Sequence, residues 1–537
     1  MAIQWNLADL FEAVSDAVPE RTALICGDYR STFAALDERA TRLANHLASQ
    51  GIGRGDHIGL YVYNGPEYVE GTFAAYKLGA VPINVNYRYV EGELAYLFDN
   101  ADLKGLIFGR EFAPRIANIV KDAPKLKVLV AVNDGTDEDI SVIGATEYEA
   151  ALAAASAVRA FEPRSEEDLY ILYTGGTTGM PKGVMWTQRD FFLSTIGPLL
   201  SLGQTTPDDP AEFVTRAIEN GGTSVSMPIA PLMHGAALWA ALMAIFGGNT
   251  VVLTSQRKLD PHEIWRTVER EKVMSVSLVG DAMARPLIEA LDEAGAEYDL
   301  SSLFVIGSGG AILSPAVKAK IVERFPNMLV IDSLGASETG YQGTVAGTDG
   351  QGRPRFAMGA HTTVLDDDGI PLEPGSGTVG RLARGGYVPL GYYKDPVKTA
   401  DVFVEANGSR WVLPGDMAIV EADGTITLLG RGSVSINSGG EKIFPEEVES
   451  ALKSHPDVFD VVVVGVPDER WGEHVCAVVK PRTGATPDVE SLATHVRSLL
   501  ASYKAPREVF LVDEIVRSPS GKADYRWAKS IALGTAK

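Results

Sequence analysis

The sequence predicts an α/β fold built on a parallel sheet, and three observations point to it. Helical and strand patterns alternate from about residue 20 to 330, the order that right-handed crossover units produce. The run 57–63 reads as a buried strand set between helical patterns. From about 340 to 430 the texture changes to short segments rich in glycine, such as 375–385, which read as a small β-barrel or distorted sheet appended to the α/β region. Taken in order, Asn6 caps a first amphipathic helix that starts with Leu7-Ala8-Asp9-Leu10-Phe11-Glu12. A helix is predicted over 39–48, a buried strand over 57–63 closed by Asn64-Gly65-Pro66, a helix over 67–78 and a strand over 80–84. Further strands are predicted at 127–132, 169–173, 250–253, 275–279, 303–306 and 329–331. The most apolar stretch, 226–248, contains Pro228, Pro231 and His234. Its helical part, 235–246, would be about 18 Å long, well short of the roughly 30 Å hydrocarbon core of a bilayer. It reads as a buried helix lining a pocket, and no transmembrane segment is predicted.

Composition is that of a large soluble enzyme. The chain has 537 residues, 45% hydrophobic and 22% charged, which suggests several domains. A net charge of −22 repels nucleic acid and anionic lipid surfaces, so nucleic-acid partners are not expected. Anionic small molecules would need local basic and backbone-donor sites. The two cysteines, Cys26 and Cys476, suggest neither a disulfide framework nor a zinc site and read as free thiols of a reducing cytoplasm. The first residues show no basic leader pattern. No internal repeat stands out.

The densest signal is Tyr173-Thr174-Gly175-Gly176-Thr177-Thr178-Gly179-Met180-Pro181-Lys182-Gly183. Glycines admit close backbone approach and positive φ, successive N–H groups form an anion nest, hydroxyls add donors, and a lysine adds a point charge suited to phosphate. The run reads as a polyphosphate cradle beyond the carboxyl end of a strand, where ligands of open α/β sheets bind. It is not the kinase-type phosphate loop, which needs G-x-x-x-x-G-K-[ST]. Proline stands in place of the second glycine, and Gly183 stands where a magnesium-binding hydroxyl belongs. The order T-G-G-T-T-G-x-P-K-G resembles the signature of the adenylate-forming superfamily of acyl-CoA synthetases, adenylation domains and luciferases, with Gly175 where serine is usual.

Further segments carry the same resemblance in the same order, over nearly the whole chain. Pro231-Leu-Met-His-Gly235 is similar to the histidine segment beside the carboxylate site, which makes His234 a candidate catalytic residue without a general-base role. Ile306-Gly-Ser-Gly-Gly-Ala311 resembles the adenine shelf, implicating Gly309, Gly310 and Ala311. Ser333-Leu-Gly-Ala-Ser-Glu-Thr339 resembles Y-G-x-T-E. There Leu334 replaces the tyrosine beside adenine, Gly335 is kept, Ser337 stands for threonine, and Glu338 is the implied Mg²⁺ ligand and a catalytic candidate. Trp411-Val-Leu-Pro-Gly-Asp416 implies a ribose-binding Asp416, and Arg431 resembles the arginine that contacts ribose or phosphate. The segment 436–449 resembles the stretch after the family hinge, and its Gly440 matches the glycine bordering the pantetheine tunnel. Val516-Arg-Ser-Pro-Ser-Gly-Lys522 implies that Lys522 is the mobile lysine of adenylation, with Tyr525 where the family has arginine.

The resemblance implies a large N-terminal domain, 1–430, made of two parallel α/β subdomains (about 1–340) and a small β-barrel (about 341–430). A hinge at 431–436 and a small mobile α+β C-terminal domain at 437–537 follow. It also implies ATP, Mg²⁺, a carboxylic acid and the cosubstrate CoA. Thr174, Thr177, Thr178 and Lys182 would hold pyrophosphate, with Gly176 and Gly179 shaping the cradle. Lys522 and the Gly440 tunnel cannot serve one geometry, so rotation at the hinge would present them in turn. The alternatives are a stand-alone adenylation enzyme loading a carrier protein and a catalytically silent nucleotide binder. The apolar run 235–245 offers no cation for a second carboxylate. A medium- or long-chain fatty acid or a sterol side-chain acid fits it, and the wording around Lys182 looks like actinobacterial acyl-CoA synthetases. A cytoplasmic homodimer is a reasonable expectation for an enzyme of this size.

Overall fold

The computed structural model describes residues 3–174, 180–200, 206–220, 223–293, 297–311, 313–348, 354–438, 441–468, 471–517 and 521–535. The chain forms two compact units. One comprises Met1–Leu278, Ala290–Ile306 and Tyr387–Ala400, and the other comprises Val279–Glu289, Gly307–Gly386 and Asp401–Lys537.

Among the described residues the first unit holds three sheets. One runs in the order Val81–Asn84, His57–Tyr61, Leu103–Gly109, Val128–Val132, Thr146–Glu147, all parallel. In another, Thr22–Cys26, Thr250–Leu253, Val225–Pro228 and Ser275–Leu278 lie parallel and in that order, with Tyr29–Thr32 antiparallel at the edge. These two sheets are the predicted parallel α/β core, and in the first of them strands His57–Tyr61 and Val128–Val132 are buried throughout. The helices also follow the prediction. Asn6 Oδ1 accepts from the N–H groups of Ala8 and Asp9 and starts helix Leu7–Ala17, which buries Leu7, Leu10, Phe11 and Val14. The helix expected over 39–48 extends to Phe33–Ser49, because the Thr32 hydroxyl caps it a turn and a half earlier.

The third sheet corrects the sequence reading. Leu169–Thr174 does not join a parallel sheet. It pairs antiparallel with Lys182–Thr187, which pairs in turn with Gly391–Tyr392. The physical reason is connection length: a handful of residues can close a hairpin, whereas parallel neighbours need a crossover of about a dozen or more.

In the second unit, strands Leu329–Ala336, Gly340–Thr348, Pro354–Phe356, Ile426–Arg431, Asp416–Val420, Gly380–Arg384, Ser409–Val412 and Phe403–Ala406 follow one another in a sheet, and Thr362–Leu365 also pairs with Gly380–Arg384. All of these pairings are antiparallel, matching the glycine-rich texture of that stretch. A second sheet orders Glu441–Ile443, Ile436–Ser438, Gly472–Pro481 and Val458–Asp468, with Glu508–Leu511 parallel to Gly472–Pro481. Val461 and Val463 pack on one of its faces beside Val448 and Leu452 of helix Pro445–Lys453. Val462 and Val464 pack on the other beside Ala528 of helix Tyr525–Ala532. The α+β C-terminal portion therefore reads directly as two helical layers on a period-2 strand.

One buried ion cluster anchors the first unit. Lys77, wholly inaccessible to solvent, places its ammonium 2.5 Å from Glu12 and 2.7 Å from Asp37. Arg164 pairs with Glu12, and Arg159 pairs with Asp37. Removing one member of such a cluster strands its partners in a low-dielectric site. Lys77→Ala is therefore expected to destabilise the protein by ~3–5 kcal/mol, read as a lowered apparent melting temperature.

Candidate active site

In the first unit the strand ahead of the glycine-rich loop is held by one amide. Asn84, the last residue of its strand, accepts from the Tyr173 N–H (2.7 Å) and donates to the Tyr173 carbonyl (2.8 Å) and the Met233 carbonyl (2.7 Å). Asn64 works in the same way, donating to the Ala230 carbonyl at 3.1 Å and accepting from the Leu232 N–H at 2.7 Å. Asn84 at a strand end and Asn64 three residues beyond one thus fix both the entry to the glycine-rich loop and the segment before His234. Sequence reading placed both at element ends and missed this role. The available signal was a bifunctional amide closing an otherwise apolar strand.

Thr174 and Lys182 face each other in register across the hairpin. The Lys182 ammonium is 3.0 Å from Asp395 and lies over the Tyr392 ring. Gly175, Gly176, Thr177, Thr178 and Gly179 lie outside the described residues, as does Gly440. His234 is half-buried at the N-cap of helix Gly235–Phe246, whose bounds match the predicted ones. Ala237, Ala241 and Ala244 are buried by packing, whereas Ala236, Trp239, Ala240 and Met243 form a partly accessible apolar stripe at helical spacing. The Trp239 indole donates to the Tyr170 hydroxyl at 2.9 Å, which fixes that stripe's largest member.

The second unit brings together residues far apart in sequence. Ser337, Glu338 and Thr339 form the turn between strands Leu329–Ala336 and Gly340–Thr348. The buried Thr339 hydroxyl accepts from the Ala336 N–H at 3.0 Å and braces that turn. Gly335 is required there: a Cβ would sit 2.4 Å from the Gly340 carbonyl oxygen. Leu334 turns into the apolar cluster of Val364, Leu382, Ala418, Val420 and Ile426. Gly310 adopts a left-handed φ of 85°, and a Cβ on Gly309 would stand 3.7 Å from the Ser333 carbonyl oxygen, an ordinary contact. Ala311 follows them on the half-buried side of the same loop.

Asp416 and Arg431 are direct partners across two antiparallel strands. The Arg431 guanidinium is 2.9 Å from Asp416 Oδ1 and donates to the Pro414 carbonyl at 2.9 Å. Burial raises the Asp416 carboxyl above the usual aspartate range and nearby Glu338 adds to this, while Arg431 and Lys522 oppose it. Lys522 is solvent-accessible. Surrounding protein nonetheless displaces enough water to lower its ammonium from the ordinary lysine range; Arg431 adds to that shift, and Glu338 and Asp416 oppose it. Lys522, Arg431, Asp416 and Glu338 therefore share one electrostatic neighbourhood, although they span 338 to 522 in sequence. No cluster of three or more His, Cys, Asp or Glu side chains suited to a metal occurs among the described residues. A single carboxylate at Glu338 fits Mg²⁺ arriving with substrate phosphates, because that ion keeps most of its oxygen ligands from water and phosphate.

Two family models match the chain: AMP-binding enzyme over residues 11–393, and AMP-binding enzyme C-terminal domain over 447–522. The chain belongs to the AMP-binding enzyme family. Within that family it is an acyl-CoA synthetase, an AMP-forming acid–thiol ligase: curated ligases of this kind are half identical to it over nearly their whole length. One is the medium/long-chain-fatty-acid–CoA/3-oxocholest-4-en-26-oate–CoA ligase of Mycobacterium marinum, 50% identical over 98% of this chain and 97% of its own. Another is the 3-oxocholest-4-en-26-oate–CoA ligase of Rhodococcus rhodochrous, 50% identical over 98% and 95%. Among solved structures, an anthranilate CoA ligase in complex with anthranoyl-AMP shares the fold, with a TM-score of 0.84, 23% identity and 99% coverage of both chains.

The close approach at Gly335 yields a sharp contrast. Gly335→Ala is expected to cost ~1–3 kcal/mol by forcing the hairpin apart, whereas Gly309→Ala, with room for a methyl group, changes stability by less than about 0.5 kcal/mol. Thermal unfolding of the two variants side by side checks this.

Proposed function

We propose that this chain activates a medium- or long-chain fatty acid, or a bulky apolar acid such as a sterol side-chain acid, and transfers it to CoA. The observation that carries the reading is the convergence of Lys522, Arg431, Asp416 and Glu338 in one neighbourhood. The substrate class is supported by the named activities of the half-identical relatives and by the accessible stripe Ala236, Trp239, Ala240 and Met243, which carries no charge.

The chemistry follows from leaving groups. A carboxylate cannot expel oxide at neutral pH. Its oxygen attacks the α-phosphorus of ATP, the bond to the β-phosphate oxygen breaks, and acyl-AMP and pyrophosphate form. The CoA thiolate then attacks the acyl carbon and AMP leaves. The reaction needs no covalent nucleophile from the protein. It aligns the reactants and neutralises developing charge. In this proposal Lys522 bridges the acid carboxylate and the α-phosphate, Asp416 accepts from the ribose hydroxyls, and Arg431 orients Asp416. Thr174, Lys182 and the loop between them hold the departing pyrophosphate, and His234 borders the carboxylate. Mg²⁺ beside Glu338 offsets phosphate charge when it is bound. Lys182 is held by Asp395 at 3.0 Å, so its phosphate contact is made as part of an ion triad. The hinge at 431–436 and the domains on either side of it are part of the same proposal. So are a cytoplasmic location, consistent with two free cysteines, and a homodimeric state, which light scattering would show as twice the chain mass.

The test is pyrophosphate release from Mg-ATP across a panel from acetate to palmitate and a 26-oic sterol acid, with and without CoA, for wild type and Lys522→Ala. Release is expected with the longer and bulkier acids, turning over only with CoA. Lys522→Ala is expected to lose ~10²–10³-fold in adenylation while keeping thioester formation from supplied acyl-AMP. Equal loss of both half-reactions would remove Lys522 from its role. Turnover confined to acetate would overturn the substrate class, and a stall after one turnover despite CoA would point to a carrier protein as acceptor.

A further inference from the structure

Glu446 occupies a position that nothing in the reaction above uses. It lies in the first turn of helix Pro445–Lys453, beyond the segment 431–436, yet it reaches back to the residues before that segment. Its Oε1 accepts from the Arg431 N–H at 3.3 Å. Its Oε2 is sealed from solvent and has no hydrogen-bond partner among the described residues. The carboxyl group fills the space over Gly430, where a Cβ would meet Glu446 Oε2 at 2.3 Å and where φ is +116°. Gly430 is thus the residue that lets a carboxyl group from the following helix close onto the strand carrying Arg431.

The same contact extends toward Lys522. One turn along the helix, Glu449 accepts from the Val463 N–H at 3.0 Å, and burial, then the charges of Glu449 and Glu446, push the Tyr525 hydroxyl well above its ordinary range. Tyr525 begins the helix three residues after Lys522. Glu446 and Glu449 therefore lie on one helix, the first bonded to Arg431 and the second in the electrostatic surroundings of the helix that follows Lys522.

We propose that Glu446 is a positioning residue: a latch spanning residues 431–436 that holds Arg431 and Lys522 in the adenylate-forming arrangement and opens when that segment turns for thioester formation. This rests on the two-arrangement reading given above. The latch is also proton-linked. The charged groups facing it are Asp416 and Arg431 on the strand side, Glu449 on its own helix, and Tyr525 on the last helix. Burial first, and then the Glu449 and Asp416 charges, push the Glu446 carboxyl up to about 8. In an opened arrangement it would return toward the ordinary carboxylate range. The sign follows: closing the latch takes up a proton between those two values, so the closed arrangement is intact at low pH and weakens as pH rises toward 8, with no further change beyond.

The full-length enzyme tests this through two rates, acid-dependent pyrophosphate exchange and thioester formation from supplied acyl-AMP, measured from about pH 6 to 9. The ratio of exchange to thioester formation in wild type, divided by the same ratio in Glu446→Gln, is expected to fall by up to about a hundredfold across that range, because glutamine keeps the neutral shape without titrating. Division by the glutamine variant cancels the titration of Lys522, which is common to both. Glu446→Ala is expected to raise the KM for ATP in exchange and to leave thioester formation from acyl-AMP unchanged, a split that general destabilisation would not give. A wild-type profile that Glu446→Gln reproduces would overturn the latch, as would a Glu446→Ala variant with unaltered exchange. Lys522→Ala run alongside separates the two ideas. Selective loss of exchange there, with Glu446→Gln following wild type, overturns the latch alone; loss of both half-reactions overturns the reading beneath it.

Discussion

The pairing of Asp416 with Arg431 is the interaction on which the rest of the candidate site depends. It is a charge pair set by backbone register: the two residues are opposite each other on adjacent antiparallel strands, so sheet formation and site formation are one event. Each member has a second task. Arg431 is also tied to the Pro414 carbonyl and, through its own N–H, to Glu446. Asp416 feels both Lys522 and Glu338. In a chain of net charge −22, an anionic substrate can be held only where cations are concentrated and their surroundings dry enough to keep them effective. Arg431 and Lys522 share one neighbourhood with the carboxylates of Asp416 and Glu338.

The first unit solves a different problem. A glycine-rich phosphate loop is useful only if its ends are fixed, since glycine loses more conformational freedom than any other residue when ordered. Here the ends are fixed by an antiparallel hairpin and by Asn84, whose amide bridges Tyr173 and Met233. The same amide therefore sets the spacing between the phosphate loop and the histidine segment. Helix Gly235–Phe246 then divides its alanines between packing and an accessible apolar face.

Much of this was legible beforehand. Strands such as 57–61 and 128–132 are continuous apolar runs, and helix 235–246 is bounded by glycine on both sides, so local pattern and tertiary environment agree. The phosphate-loop composition, the aspartate after Pro-Gly and the lysine after Ser-Gly were readable because each residue type has a chemical reason to be there. Strand 169–174 was misread, because an apolar run has no direction: whether its neighbour is parallel or antiparallel depends on the connection and on the partner available. Asn84 and Glu446 were passed over for a related reason. A polar residue at the end of an element looks like an ordinary boundary until the chain returns to meet it.

By itself, then, the sequence determined the α/β character and the β-rich stretch after it, and it singled out the glycine-rich run at 173–183 and Lys522, Glu338, Asp416 and Arg431 as candidates. These follow from local periodicity and side-chain chemistry, which need no distant partner. Only the tertiary structure decided which of them meet, that the phosphate strand is half of a hairpin, that Leu334 turns inward to an apolar cluster, and that a glutamate after the 431–436 segment closes onto a glycine before it. Such facts depend on contacts between residues tens to hundreds of positions apart, and no local preference encodes a contact whose other half lies elsewhere in the chain.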